Sequence, residues 1–85
     1  AKEKEKAVKK YDKAVKKVDS FEKKMEKQAK AIQKAERDLA KKISRNKITE
    51  IDRAKSEVKI QKLLIKYKEL ERDYQDARND LRKLR

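Results

Sequence analysis

Three lysines in the first half of the chain recur at intervals of seven residues, and a function beyond structure would reside in them. Lys10, Lys17 and Lys24 lie one heptad apart, so a helix would place them on one side at intervals of about 10 Å. Ammonium groups bind phosphates and other anions as point charges. The three lysines are therefore the candidate polyanion-contact row. A solvated helix flank explains the same pattern without any ligand.

A second set of lysines is explained by the helix itself. Acidic residues recur with the same period and each is followed four positions later by lysine, in the pairs Glu5–Lys9, Asp12–Lys16, Asp19–Lys23 and Glu26–Lys30. An acid followed by a lysine at this distance stabilises a helix by about 0.2–0.5 kcal/mol per pair. These charges brace a helix and require no partner.

Catalysis is not expected from this composition. The 85 residues include no histidine, cysteine or glycine, so the commonest general base, the thiolate nucleophile and the glycine-rich phosphate loop are all missing. Asp73, Asp76 and Asp80 share one helix face and could hold a cation loosely, but a solvated acidic face is favoured. The sequence therefore predicts no enzyme, no catalytic residues, no metal site, no small-molecule substrate and no cofactor.

The net charge of +13, from 29 basic and 16 acidic residues, bears on the class of partner. A positive field of this size attracts nucleic acid, anionic lipid or acidic protein surfaces. Nucleic-acid binding would be non-specific and strongly dependent on salt. The lysine-rich heptads are also similar in composition to the arms of BAR-type helical bundles, which implies an anionic membrane surface as an alternative partner. Localisation stays open; the absence of cysteine, of a signal peptide and of a membrane-spanning segment favours a soluble, cytoplasmic protein.

Apolar residues recur with alternating spacings of four and three in both halves of the chain, which is typical of helices that pack along a seam. The first seam is interrupted only by Gln28 and consists of Ala7, Tyr11, Ala14, Val18, Phe21, Met25, Ile32, Ala35 and Leu39. The second consists of Ile60, Leu63, Tyr67, Leu70, Tyr74, Ala77, Leu81 and Leu84. All three tyrosines lie on the seams, so core packing is favoured over base stacking.

A turn is predicted between the two seams. Ser44, Asn46 and Thr49 are mediocre helix formers; Asn46 suits a left-handed position after a helix, and Thr49 with Asp52 resembles a capping box. The sequence therefore predicts an all-α protein, a single unit over 1–85 that forms an antiparallel coiled-coil hairpin. Its parts are a helix over 2–43, a turn over 44–49 and a helix over 50–84.

Two alternatives stay open at this level. Ala7 and Leu63 are separated by a whole number of heptads, so one continuous helix in an oligomeric coiled coil is the competitor, and a three-helix arrangement is a third option. Polar residues at Lys42, Asn46 and Arg53 weaken a continuous seam. The hairpin also has two registers: a turn centred near 44 places Val18 opposite Leu70, and one centred near 47–48 places Val18 opposite Ala77.

A further apolar row lies outside the second seam. Ile51, Val58 and Ile65 are spaced by seven residues, and with Leu63 they form the candidate assembly interface. An isolated hairpin would expose much of this row, and exposed apolar patches mark interfaces. The predicted function is therefore a structural or interaction coiled coil, acting as a rigid arm, spacer or oligomerisation module. Its predicted partner is a second copy, giving a helical bundle, or another helical protein.

The alternative functions are non-specific nucleic-acid binding through phosphates and contact with an anionic membrane or acidic protein surface. The sequence leaves open the partner's identity, the oligomeric state, and whether the chain is a fragment. Because it starts at Ala1 rather than Met, a natural and an engineered origin are both open.

Overall fold

The chain folds into two long antiparallel helices joined by a short turn. The computed structural model describes residues 2–84, in which α1 spans Lys2–Ser44 and α2 spans Glu50–Lys83. The molecule is a rod with dimensions of 68 × 15 × 14 Å. The predicted all-α hairpin is confirmed, and the single continuous helix is wrong because the chain reverses direction at 45–49. Residues 1 and 85 of the predicted unit lie outside the described part.

Both helices follow from residue choice. The chain has no glycine or proline to interrupt them, and lysine, glutamate, alanine and leucine are strong helix formers. Each helix begins with acidic residues and ends with basic ones: Glu3 and Glu5 against Lys41 and Lys42 in α1, Glu50 and Asp52 against Arg82 and Lys83 in α2. These charges oppose the partial charges of the helix termini and stabilise both ends.

The end of α1 is a Schellman motif built on Asn46. The backbone N–H of Asn46 donates to the carbonyl of Ile43, and that of Lys47 donates to the carbonyl of Lys42, both at 3.1 Å. Asn46 has a φ of 52°, in the left-handed region that this motif requires after a helix. Asparagine is one of the few residues other than glycine that enter this region readily. The chain therefore turns here for a local reason.

The start of α2 is fixed by Thr49. Its backbone is extended, and its hydroxyl accepts a hydrogen bond of 3.1 Å from the backbone N–H of Asp52. A threonine cap of this kind stabilises a helix by about 1 kcal/mol. The two caps together leave only five residues between the helices, so α2 must fold back along α1.

Replacing Asn46 by alanine is expected to lower the free energy of unfolding by up to about 1–2 kcal/mol, because alanine keeps the Cβ clash of the left-handed conformation and lacks the polar side chain whose local hydrogen bonding offsets it in asparagine. Asn46→Gly is the matched control, since glycine adopts this conformation without that clash. Urea unfolding followed by circular dichroism at 222 nm (the helix band) measures both variants. An alanine variant as stable as the glycine variant would contradict the left-handed turn.

The register is the one centred near 47–48. Two hydrogen bonds cross between the helices: the Tyr74 hydroxyl donates to the Glu22 carboxylate at 2.8 Å, and Gln28 Nε2 donates to the Leu63 carbonyl at 2.9 Å. The first bond fits the register in which Tyr74 lies opposite Phe21, the neighbour of Glu22. In that register Val18 lies opposite Ala77, and both are buried. A bulky residue thus faces a small one, which allows close packing.

The core is thin and does not extend over the whole of α1. The buried apolar residues among those described are Val18, Ile32, Ile60 and Ala77. Because α1 has 43 residues and α2 has 34, the first turns of α1 extend past the end of α2. Ala7 and Tyr11, which the first seam placed in the core, are therefore exposed. Leu84 is also exposed, because it caps α2 instead of continuing it.

Candidate functional site

The outer face of α2 carries an exposed apolar row, formed by Ile51, Val58 and Ile65. Their exposed fractions are 69%, 54% and 57%, respectively. At a rise of about 1.5 Å per residue the row extends for roughly 21 Å along the helix. Isolated exposed apolar residues are normal on a protein surface, but an aligned set of β-branched side chains is typical of the a positions of a coiled coil. We call these three residues the outer row.

Three lysines border the outer row. A shallow groove on α2 is lined by apolar side chains together with these lysines, namely Ile51, Ala54, Val58, Lys55, Lys59 and Lys62. No carboxylate lines this groove. Further along α2 the surroundings become mixed, since Ile65 lies in a depression with Lys68, Glu69 and Arg72. We call Lys55, Lys59 and Lys62 the lysine border, and the groove the outer groove.

Leu63 does not lie with the outer row, although the sequence groups it there. It is half-buried, and its backbone carbonyl accepts the hydrogen bond from Gln28 of α1. Helical geometry explains the difference, because Leu63 is five positions after Val58 and lies on the side of α2 that faces α1. The structure thus separates it from Ile51, Val58 and Ile65.

The candidate polyanion-contact row on α1 is fully exposed. Lys10, Lys17 and Lys24 are all exposed, and they lie on the other helix from the outer row. Lys24 Nζ lies 5.4 Å from the centre of the Phe21 ring, a distance at which a cation is attracted to an aromatic face. The structure thus places these three lysines in one exposed row on α1.

The helix-bracing ion pairs are formed only in part. Of the four acid–lysine pairs that the heptads predict, Glu26–Lys30 closes, at 3.6 Å. The other ion pair among residues 3–84 is Arg53–Glu57, at 3.2 Å. Because these pairs are exposed, each contributes only about 0.3–0.5 kcal/mol. Most of the positive charge of the described residues is therefore not neutralised within the hairpin.

Tyr74 joins the two helices near their open end. The Glu22 carboxylate accepts the hydrogen bond of its hydroxyl and thereby raises the pKa of Tyr74 above its ordinary value of 10.0. Arg78 opposes this pKa shift, and its guanidinium carbon lies 5.7 Å from the centre of the Tyr74 ring. The phenol is therefore protonated at neutral pH and acts as a donor between the helices.

The tyrosines divide into two groups. Tyr67 and Tyr74 are half-buried at the seam between the helices, as the heptads predict. Tyr11 is 38% exposed, so the core role predicted for it is wrong. The reason is the overhang of α1, which leaves Tyr11 without a full partner layer on α2.

Two other kinds of site, a membrane-spanning helix and a metal site, are not formed by residues 2–84. No helix in that range is long and apolar enough to cross a membrane. No group of three carboxylates there is placed to hold a metal ion. Asp73 is half-buried, whereas Asp76 and Asp80 are exposed.

Sequence reasoning found the outer row but missed the lysine border. The signal was present, because Lys55 and Lys62 follow Ile51 and Val58 by four residues each. That spacing places a side chain beside an a position, at the e position of a heptad. The bond from Gln28 to a backbone carbonyl was also missed, because Gln28 stood out only as an interruption of the seam.

Comparison of the chain with protein families, with curated proteins and with solved structures finds no match. Its function is therefore inferred from the chemistry of its own surface.

Proposed function

We propose that the hairpin is a non-enzymatic structural and interaction module, a rigid arm that packs a further helix on the outer face of α2. The observation that carries this proposal is the exposure of the outer row, whose three members are each more than half exposed. Packing one further helix along the row would remove these side chains from water. Each fully buried side chain of this type contributes about 1.5–3 kcal/mol.

The spacing of the outer row supports a helix as the occupant. Ile51, Val58 and Ile65 stand at successive a positions, and the two d positions between them hold Ala54 and Gln61. β-branched residues at a positions are typical of paired helices that supercoil around each other. A small residue at d allows the backbone of a partner to approach closely.

The shape supports an arm. The rod is 68 Å long and only 15 Å wide, and both of its helices are uninterrupted within their bounds. The sequence has no histidine or cysteine, which are the commonest side chains for general acid–base and nucleophilic chemistry. Interaction through a surface is the role that this geometry favours.

A neutral helical probe peptide tests this function. The probe carries valine at a positions, leucine at d positions and glutamine on both flanks, and is used below the concentration at which it self-associates. We expect the hairpin to bind it, and we expect replacement of Ile51, Val58 and Ile65 by glutamine to weaken binding at least about tenfold, because the apolar contact is lost. Fluorescence anisotropy of a labelled probe measures both dissociation constants.

The matched control changes exposed apolar residues of α1 in the same way, by Val8→Gln, Ala31→Gln and Ala40→Gln. This variant is expected to bind the probe as the unchanged hairpin does. Equal binding by the outer-row variant, or no binding by the unchanged hairpin, would overturn the proposed function.

A further inference from the structure

We infer that the helix packed on the outer face of α2 is an acidic amphipathic helix of another protein. This inference rests on the proposed function, and it adds the chemistry of the partner. It is carried by the lysine border, which the sequence did not single out.

The lysine border makes the outer groove a cationic as well as an apolar surface. Its three lysines are exposed, and they line the groove directly beside the apolar side chains. The ion pairs among residues 3–84 are Lys30–Glu26 and Arg53–Glu57, so none of the border lysines is engaged in one. A partner that brings carboxylates to this border gains attraction that the hairpin itself does not satisfy.

Two of the three border lysines stand at positions that select partners in coiled coils. With Ile51 and Val58 at a, Lys55 and Lys62 stand at e positions on one flank of the outer row, whereas Glu50 and Glu57 stand at g positions on the other flank. Charges at e and g positions set the choice and the orientation of a partner helix. Glutamate or aspartate at the facing positions of the incoming helix would form ion pairs between the helices, on the rim of the apolar contact.

A second copy of this chain fits the outer groove less well. Each copy carries a net charge of +13, so pairing two copies brings together two strongly positive rods. In a parallel pair, Lys55 and Lys62 at e would face Glu50 and Glu57 at g of the other copy, so there it is the net charge of each copy that opposes pairing. In an antiparallel pair about a two-fold axis, e positions face e positions and the lysine border meets its own copy. Like charges placed opposite each other suppress such pairing.

An anionic membrane shares the negative charge but not the geometry. The outer row consists of β-branched aliphatic residues, whereas helices that lie in the bilayer interface present bulky leucine, phenylalanine or tryptophan side chains. An ideal straight α-helix drifts about 20° per heptad relative to a strict seven-residue repeat. Such a repeat therefore stays in contact with a partner helix only if the two helices supercoil around each other. A flat bilayer surface would not require that repeat.

The test compares three probe peptides that share one apolar seam and differ on the flank that faces the lysine border, which carries glutamate, glutamine or lysine; the other flank carries glutamine in all three. At an ionic strength of about 0.15 M we expect the glutamate probe to bind the hairpin about tenfold more tightly than the glutamine probe, and the lysine probe to bind most weakly. Raising the salt concentration should reduce the advantage of the glutamate probe, because the border is exposed to solvent.

Two charge variants locate the effect. The first variant combines Lys55→Gln, Lys59→Gln and Lys62→Gln, and it should lose most of the preference for the glutamate probe. The control variant combines Lys13→Gln, Lys27→Gln and Lys34→Gln, which remove the same charge from exposed positions on α1. It should keep the preference for the glutamate probe. Equal effects of the two variants would mean that net charge, and not the border, attracts the probe, and would overturn the inference.

Other occupants appear as distinct outcomes. If the glutamine probe binds as tightly as the glutamate probe, the inference fails while the helix-packing function stands; if neither binds, both fail.

Dimerisation of the hairpin that is lost in the outer-row glutamine variant would make a second copy the occupant and overturn the inference. The inference would also be overturned if vesicles of anionic phospholipid, or a random-sequence DNA duplex, bound through the lysine border more tightly than the glutamate probe does. Circular dichroism checks the fold of each variant, and Val58→Gln alone replaces the outer-row triple variant if that variant loses helix.

Discussion

Replacing Ile60 by alanine is expected to lower the free energy of unfolding by about 3 kcal/mol. Ile60 is 9% exposed on α2, in the seam that faces α1. Truncation of a buried isoleucine to alanine typically costs about 2–5 kcal/mol, through lost burial and the cavity that remains. A chain of this length is stable by only about 4–13 kcal/mol in total, and the buried core has few members to compensate. Urea unfolding followed by circular dichroism measures the loss.

Ile65→Ala is the matched control for this prediction. Ile65 lies five positions later on the same helix but is more than half exposed. The substitution improves helix propensity by a few tenths of a kcal/mol, and little burial is lost, so stability should be nearly unchanged. Similar losses at both positions would contradict the assignment of Ile60 to the seam and Ile65 to the outer face.

Replacing Ala77 by leucine is expected to destabilise the hairpin by about 1–3 kcal/mol, because the added methylenes overpack a close approach between the helices. Ala77 is 2% exposed, the most enclosed of the buried residues, and lies opposite Val18 in the observed register. Ala54→Leu makes the same change at an exposed position of α2 and should be close to neutral. Urea unfolding again gives the free energies.

The Ala77→Leu variant also tests the register. Adding Val18→Ala restores a large residue opposite a small one, so part of the lost stability should return. The coupling energy between the two changes should reach at least about 0.5 kcal/mol, as for residues in contact. Additive effects would contradict the placement of Val18 opposite Ala77, since in the register centred near 44 these residues do not meet.

The hairpin and its turn could be predicted because their causes are local. Asn46 and Thr49 act through their own backbone and the next few residues, so the residue types alone indicate a helix end and a helix start. The heptads likewise indicate which face of each helix is apolar. The choice between one helix and two depended on weighing the polar residues near the turn, and the structure resolves it in favour of two.

The register and the ends could not be predicted because they depend on how the helices slide along each other. Both registers place large residues opposite small ones, and only contacts between helices, such as the bond from Tyr74 to Glu22, distinguish them. Tyr11 and Leu84 satisfy the heptad pattern as well as any buried residue. Tyr11 is exposed because α1 is longer than α2, and Leu84 is exposed because α2 ends there; periodicity specifies neither.

The candidate site was predictable in its apolar part. The outer row follows from spacing alone, whereas Leu63 was misplaced because an apolar run gives no direction unless each residue is assigned to a side of the helix. The lysine border was hidden among the 29 basic residues of the chain. Only the placement of three of these lysines around the outer groove distinguishes them from the rest.

The five-residue turn also determines the order in which the hairpin can form. The separation along the chain of residues that meet between the helices grows with distance from the turn: it is 35 residues for the hydrogen bond of Gln28 with Leu63 and 52 for that of Tyr74 with Glu22. Closing a short loop costs less conformational entropy than closing a long one. The two helices therefore start to pair beside the turn, and pairing proceeds toward the open end of the rod. Local opening then runs in reverse. Amide protons near Ala77 should exchange with solvent sooner than those near Ile60, so the unpaired first turns of α1 extend from the least protected end of the rod.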